Sequence, residues 1–451
     1  MSQLMDDLAA FVASTGYNDL PPELVERAKR HILDTFGATL AGSNSPIAQA
    51  VQQTVIAEGC TPLASVWGCG WQTSPRNAAW LNGVAAHMYE LDDTGGCDHS
   101  GAVVLPAVMA LIPQCAAPVS GQALITAVVL GYDVGRRVLE ACGGYAPHNE
   151  AGWHSTATCG VFGAAAAAAS LLQLNQNQTA QALGIAASFS SGLWGFIHDG
   201  SQSKKLHAGR AAEGGVLAAL LAAKGITGPG QTFDDVWGGF LQTFAPASRQ
   251  PAALTAELGQ VWKLNRCSIK PYASCRGTHS AIDAVGLLMA EHNCGAEQIA
   301  RINVYLNPFL LDMCGNSDLQ SLAAAQMSLP YALAARVLFG HAGLDAYDSD
   351  KRASSEVAAM LTRIELHIDT QQGSSDEPVV ELETLTGERW RQHIAVPLGA
   401  PTNPLSDTAL LDKFTQLAQR VLTPQQTSAL QDYCLTLEQQ ADVSELLALL
   451  K

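Results

Sequence analysis

From Leu4 to Leu40 apolar residues recur at helical spacing, and Pro21-Pro22 opens the segment ELVERAKRHILDTFGATL, where proline is best tolerated in a helix. The same period predicts helices over 77–87, 102–115, 121–142, 157–174, 178–190 and 208–224. These segments are rich in Ala, Leu and Gly and poor in charge, so most must be covered on several sides. Before about residue 260 almost nothing alternates as a strand does. The texture changes near Trp262. IARINVYLN (299–307) alternates and is β-branched, and VVELETLTG (379–387) with ERWRQHIAV (388–396) reads as a hairpin around Thr-Gly. Helices are expected between them at 278–291, 328–339 and 354–361, and again at 407–421, 424–431 and 443–450.

This pattern predicts a mainly α protein, with a large all-helical domain and an inserted smaller α+β lid domain. The helical domain is expected from residues 1–265 plus 397–451, and the α+β domain from 266–396. A length of 451 residues is too great for one compact core. The 48% hydrophobic and 15% charged content fits a well-buried globular chain. A formal charge of −16 supplies no basic footprint for nucleic acid. No apolar run is long enough to span a membrane. The start, MSQLMDDLAAF, lacks the positive end and apolar core of a signal peptide. The eleven cysteines are scattered without a CxxC pair and read as thiols of a reducing cytoplasm.

Against that acidic, charge-poor background four segments concentrate reactive groups beside small residues. The first holds Glu90, Asp92, Asp93, Thr94, Asp98 and His99, just before the apolar run AVVLPAV. Ionisable groups at the mouth of a buried helix cost free energy unless paired or used. The second is Gly152-Trp-His154-Ser-Thr-Ala-Thr-Cys-Gly160, at the start of the Ala-rich helix. The third, QSKKLHAGR, places Lys204, Lys205, His207 and Arg210 within seven residues; Lys204, His207 and Arg210 are three apart and share a helical face. The fourth carries Lys270, Tyr272, Cys275, Arg276 and His279. Each alone has a plain reading: a helix-start His as a hydrogen-bonding residue, a Lys-Lys-x-His run as solvated surface, paired Asp near Gly as turn formers. Together, basic clusters in a net-acidic chain suit a small polyanionic substrate. There is no GxGxxG after a strand, no GxxxxGK[ST], no GxSxG and no HExxH, so nucleotide binding, serine hydrolysis and zinc proteolysis lack support.

The segments LDDT with HSGAVVLPA, GWHSTATCG, QSKKLHAGRAAEGG and KPYASCRGTHSAID, in this order, resemble the MmgE/PrpD family, as do SLPYALAA and VPLGAPTNPLS. That family includes 2-methylcitrate dehydratase, cis-aconitate decarboxylase and iminodisuccinate epimerase. The resemblance implies a cytoplasmic homodimer without metal or organic cofactor, acting on a small anionic carboxylate at a site between helical domain and lid. It places catalytic groups at His99, His154, Lys204, Lys270 and Tyr331, with Glu90 and Thr94 also at the site. His99 and His154 are the acid/base candidates and Tyr331 a proton donor from the lid. Lys204 and Lys270 would hold carboxylates, aided by Arg276; Glu90 and Asp93 would orient a His or Lys; Tyr272 and His207 complete the substrate-binding set. The chemistry implied is dehydration or decarboxylation beside a carboxylate, with epimerisation of a dicarboxylate such as iminodisuccinate as the alternative. Two departures bear on the substrate. Decarboxylase-like members carry a His in the fourth motif where this chain has Cys275, and their loop between Thr94 and His99 is longer. KPYASCRGTH is more similar to the epimerase-related and uncharacterised branches. Competing readings are a metal-dependent hydrolase using Glu90, Asp92, Asp93 and His99, and a non-catalytic helical scaffold.

Overall fold

A computed structural model describes residues 2–451. The chain is mainly α. At its centre lies the helix Gly160–Leu171, whose run Ala164–Ala169 is fully buried. Small side chains let four helices close on it: Ser100–Leu111, Gly121–Ala141, Gln176–Ala186 and Ser203–Ala223. Ser203–Ala223 also crosses Pro75–Ala86 with the backbones nearly touching. A Cβ on Gly83 would come 2.7 Å from the Gly209 Cα, and one on Gly209 would come 2.3 Å from the Trp80 carbonyl. Only glycine permits that approach. The last helices return to this core: Asp407–Ala418 packs along Pro22–Ser43, and Lys413 Nζ donates to Asp34 Oδ1 (2.6 Å) and to the Leu91 carbonyl (2.7 Å).

A second apolar cluster is built around a four-stranded sheet. Ile299–Leu306 lies inside it, parallel to the edge strand Ile364–Ile368 and antiparallel to Val379–Thr384, which pairs in turn with Arg389–His393. Alternation in Val379–Thr384 buries Val380, Leu382 and Thr384, and the helix His279–Glu291 packs on this part of the sheet. Leu329–Phe339 packs on that helix and Ser355–Leu361 on Leu329–Phe339.

Several elements differ from the sequence expectation, among them the helix Pro46–Glu58, which was not expected. A hairpin, Ala64–Val66 with Trp71–Thr73, stands in the first half; its strands are three residues long, too short to display a period of two. Ile364–Ile368 is a strand where none was expected; only two residues separate it from the helix before it, and its burial does not alternate. The basic helix begins at Ser203, not at residue 208, which carries Lys204, Lys205 and His207 into its first two turns. All eleven cysteines are free thiols. Among the described residues no helix is long and apolar enough to cross a membrane.

Candidate active site

The acidic loop follows directly on the helix Pro75–Ala86, whose C-cap is His87. Glu90 (φ +54°) and Asp98 (φ +99°) both adopt left-handed backbone. A side-chain-bearing residue held there costs about 1–3 kcal/mol, and such strain gathers at functional sites. The twist turns the Glu90 carboxylate inward, where it is 1% exposed and meets three ammonium groups. Lys204 Nζ and Lys205 Nζ each donate to Oε1 at 2.8 Å, and Lys270 Nζ lies 3.5 Å from Oε2. Burial alone would raise the Glu90 carboxyl, but Lys204 and Lys205 outweigh it and hold it well below the usual range. The two lysines divide unequally. Burial opposes charge on both; Glu90 more than offsets it at Lys204, which rises to about 12, and only partly at Lys205, which falls to about 8.

Asp92 carries two imidazoles. Its Oδ2 lies 3.1 Å from His87 Nδ1 and 3.0 Å from His99 Nδ1. The Asp93 carbonyl also faces His99 Nδ1, at 3.1 Å. Asp92 is fully buried, which would raise its carboxyl, yet His99 and His87 hold it well below the usual range. His87 is driven down to about 3 by burial, with Asp92 too weak to restore it. At His99 burial also opposes charge, but Asp92 and Asp98 together raise it above the ordinary value. His99 Nε2 is left 3.4 Å from Asp98 Oδ2 and 4.0 Å from Glu90 Oε2. Thr94 Oγ1 fixes the other Asp98 oxygen with a 2.8 Å hydrogen bond. Such a carboxylate-backed imidazole can give or take a proton at Nε2.

A cavity of about 290 Å³ opens onto this arrangement. Of the residues expected from sequence, Glu90, Thr94, His99, Lys204 and Arg276 line it. Arg276 comes from the second cluster's side and holds Glu377 at 2.6 Å. The remaining expected residues stand elsewhere. Lys270 lies beneath Glu90. His154 is fully buried behind Asp98, with Nε2 3.8 Å from Oδ2. His207 reaches His154 and not the cavity, Nδ1 to Nδ1 at 2.9 Å. Asp93 anchors helices: Tyr132 Oη donates to it at 2.5 Å, the Gly101 N–H at 2.9 Å, and His31 Nδ1 lies 2.7 Å away. Tyr272 donates to Asp283. Tyr331 donates to the Ala346 carbonyl at 2.5 Å, is fully buried and does not line the cavity.

His87, Arg136 and Tyr145 were not named from sequence, and Asp98 and Lys205 were named without a role. His87 and Lys205 complete the buried charge network, and Asp98, Arg136 and Tyr145 line the cavity. For Asp98 the signal was present in the loop itself. His87 closes an apolar helix and Arg136 sits within a long one, so nothing local marks either. Cys275 also faces the cavity. Its thiol is drawn down to about 7 by the neighbouring Cys314, with burial opposing and Lys204 assisting.

Two triads have donor atoms within 4.8 Å of one another around His99: His87, Asp92, His99 and Asp98, His99, His154. Asp92 already takes both Nδ1 groups at hydrogen-bond distance, and the Lys204, Lys205 and Lys270 ammoniums gather nearby on Glu90. A cation of the kind a hydrolase uses would have to be bound against that charge, so the donor set fits protonated nitrogen better than a metal.

A family model for the MmgE/PrpD N-terminal domain matches residues 6–251, and one for the MmgE/PrpD C-terminal domain matches 272–439. The chain is 29% identical to the cis-aconitate decarboxylase-like protein oryM of Aspergillus oryzae, over 98% of this chain and 96% of that protein. It is 28% identical to a cis-aconitate decarboxylase of Aspergillus terreus, over 100% of this chain and 96% of that one. With the cis-aconitate decarboxylase of Homo sapiens the identity is 26%, over 100% and 95%.

Proposed function

The chain belongs to the MmgE/PrpD family, and from that premise we propose that it is a lyase that removes carbon dioxide from a small unsaturated tricarboxylate of the cis-aconitate kind. The observation that carries this reading is the Asp92–His99 pair, in which Asp92 and Asp98 raise the imidazole above its ordinary value, at the edge of a cavity also lined by Lys204, Arg276 and Arg136. The relatives spanning the whole chain are named cis-aconitate decarboxylases, which supports the same reaction class.

In this mechanism Lys204 and Arg276 hold the carboxylates that stay. The carbon–carbon bond to the departing carboxylate breaks and its electron pair remains on carbon. Fixed cations facing that developing charge lower the barrier, each such donor contributing about 3 kcal/mol. The His99 Nε2–H then protonates the carbanion, and His99 regains a proton from solvent. Glu90 keeps Lys204 charged and in place. The 266–396 segment acts as the lid over the helical part, and the protein works as a cytoplasmic homodimer; light scattering on the purified protein measures the second point.

Dehydration keeps the same groups but needs an acid at a leaving hydroxyl. Epimerisation is a second reading, and one observation favours it: Cys275 and His99 both face the cavity, which gives two proton-transferring groups for one carbon. One assay separates the three. Incubation with C4 to C7 di- and tricarboxylates in deuterated water, followed by proton NMR, should show cis-aconitate losing a carboxyl and gaining one deuterium. Deuterium washed in with inverted configuration on a dicarboxylate would move the assignment to an epimerase. No exchange and no product with any member of the panel would count against the whole reading.

A further inference from the structure

We propose that His207 is a positioning residue that fixes the tautomer of His154, so that His154 presents an Nε2–H to Asp98 and holds that carboxylate against His99. The proposal rests on the reading of His99 as the proton donor.

The two rings meet through Nδ1 atoms 2.9 Å apart. At that distance one nitrogen carries the hydrogen and the other the lone pair. The choice is made at the far side of His154. Its Nε2 faces Thr156 Oγ1 at 3.3 Å and Asp98 Oδ2 at 3.8 Å. A hydroxyl can give or accept, so Thr156 is neutral in the matter. Asp98 is an acceptor when ionised, and a lone pair on Nε2 would face its negative charge. Nε2 is therefore the protonated nitrogen, Nδ1 is the acceptor, and His207 must supply the Nδ1–H.

The surroundings of His207 suit a fixed donor. It stands near the start of the helix Ser203–Ala223. Lys204 acts on it from its own helix, the Phe196 ring lies 6.0 Å away, and among the described residues His154 is the ionisable group at hydrogen-bond distance. Gly192 passes so close that a Cβ there would lie 3.4 Å from His207 Nδ1. Among the described residues no carboxylate is paired with it, and none makes a hydrogen bond to its Nε2. Burial, then Lys204, holds His207 down to about 4. Burial, then His207, holds His154 well below its ordinary value. Both rings are thus neutral near pH 7, where a neutral ring must choose a tautomer.

The consequence reaches the cavity through Asp98, whose Oδ2 is shared between His154 Nε2 and His99 Nε2. An N–H from His154 directed at Oδ2 holds that carboxylate toward His99 Nε2, where it favours charge on His99.

Two measurements test this. Long-range nitrogen–proton correlation spectra of [15N]histidine-labelled protein, assigned with H154Q and H207N, should show His154 as the Nε2–H tautomer and His207 as Nδ1–H. The opposite pair of tautomers overturns the proposal, whatever substrate the protein uses. Kinetics of H207F and H207N on the substrate found above give the second test. Phenylalanine keeps the ring but has no donor; asparagine places an amide N–H near the Nδ1 position. H207F should lower kcat about tenfold or more, with KM little changed and the alkaline limb of the pH profile moved to lower pH, and H207N should recover most of the loss. A wild-type kcat in H207F, equal losses in both variants, or a loss confined to KM would each refute the positioning role. If the wild-type protein turns over nothing on the panel, the lyase reading fails while the spectra still decide the tautomer.

Discussion

One carboxylate, Glu90, is shared by three ammonium groups inside the protein, and a charge network this deep has consequences that can be measured. Its folded carboxyl lies below the ordinary value, so its contribution to stability is fully present above the normal carboxylate range and is lost as pH falls through the folded value. Replacing Glu90 by Gln keeps the shape and removes the charge that Lys204, Lys205 and Lys270 need. E90Q should lose about 3–5 kcal/mol in urea titration, the scale for breaking a buried pair. A loss no larger than that of a surface variant would show that the three lysines find other partners. His99 gives the opposite sign. Its raised value means that the charged form persists above pH 6.5 and is lost as pH climbs through the folded value, so activity should fall on the alkaline side. D92N removes the first of the two charges that raise it and should move that limb to lower pH by about one unit or more; an unmoved limb would remove Asp92 from the proton chemistry. H99Q should fold and lose about a hundredfold or more in kcat. At this scale the sequence was informative where polar groups stand beside glycines, as at Glu90, Thr94 and His99. It was silent on His87 and Arg136, which look like ordinary helix residues until the tertiary fold brings them to the site.

Helices carry the lysines, so their spacing sets where the charges stand. The helix Ser203–Ala223 meets Pro75–Ala86 at Gly209 and Gly83, near the end that bears Lys204 and Lys205. G209A would drive a methyl into the Trp80 carbonyl. It should cost about 1–3 kcal/mol by overpacking and, by pushing the helix outward, lower kcat more than its stability loss alone would explain at a temperature where both proteins are folded. Unchanged kinetics in a folded G209A would mean that the lysines tolerate the shift. Most of the longer helices, though not Pro46–Glu58, were legible because their apolar spacing runs for ten residues or more and is punctuated by proline, serine and glycine. The short strands were not. Ala64–Val66 and Trp71–Thr73 are held by each other and by the core beneath them, which leaves no periodic mark. The start of the basic helix was missed for a related reason: its first turn is charged, and charge beside Gly and Ser reads as loop until Glu90 is known to receive it.

Taken whole, the molecule places its cavity where two apolar cores meet. Glu90 and His99 come from the helical side, while Arg276 and Glu377 come from segments flanking the sheet. Under the proposed function a tricarboxylate would touch both sides at once, and a ligand that binds only the assembled state stabilises it by RT ln(1 + [L]/Kd), about 2.7 kcal/mol at a hundredfold excess over Kd. An unreactive saturated tricarboxylate, such as tricarballylate, should therefore raise the melting temperature in a concentration-dependent way. Arg276 is the group on the sheet side that this effect needs. In the free protein it is held by Glu377, a carboxylate already in the position where a substrate carboxylate would pair. R276A should abolish most of the shift while leaving the unliganded melting temperature nearly unchanged, since the Arg276–Glu377 pair is partly exposed and such pairs contribute little. E377Q should leave the shift intact or enlarge it, because the incoming carboxylate then meets no competitor. A full thermal shift in R276A would place the substrate's carboxylates on Lys204 and the helical side alone, and the cavity would then bind its ligand without using the second core.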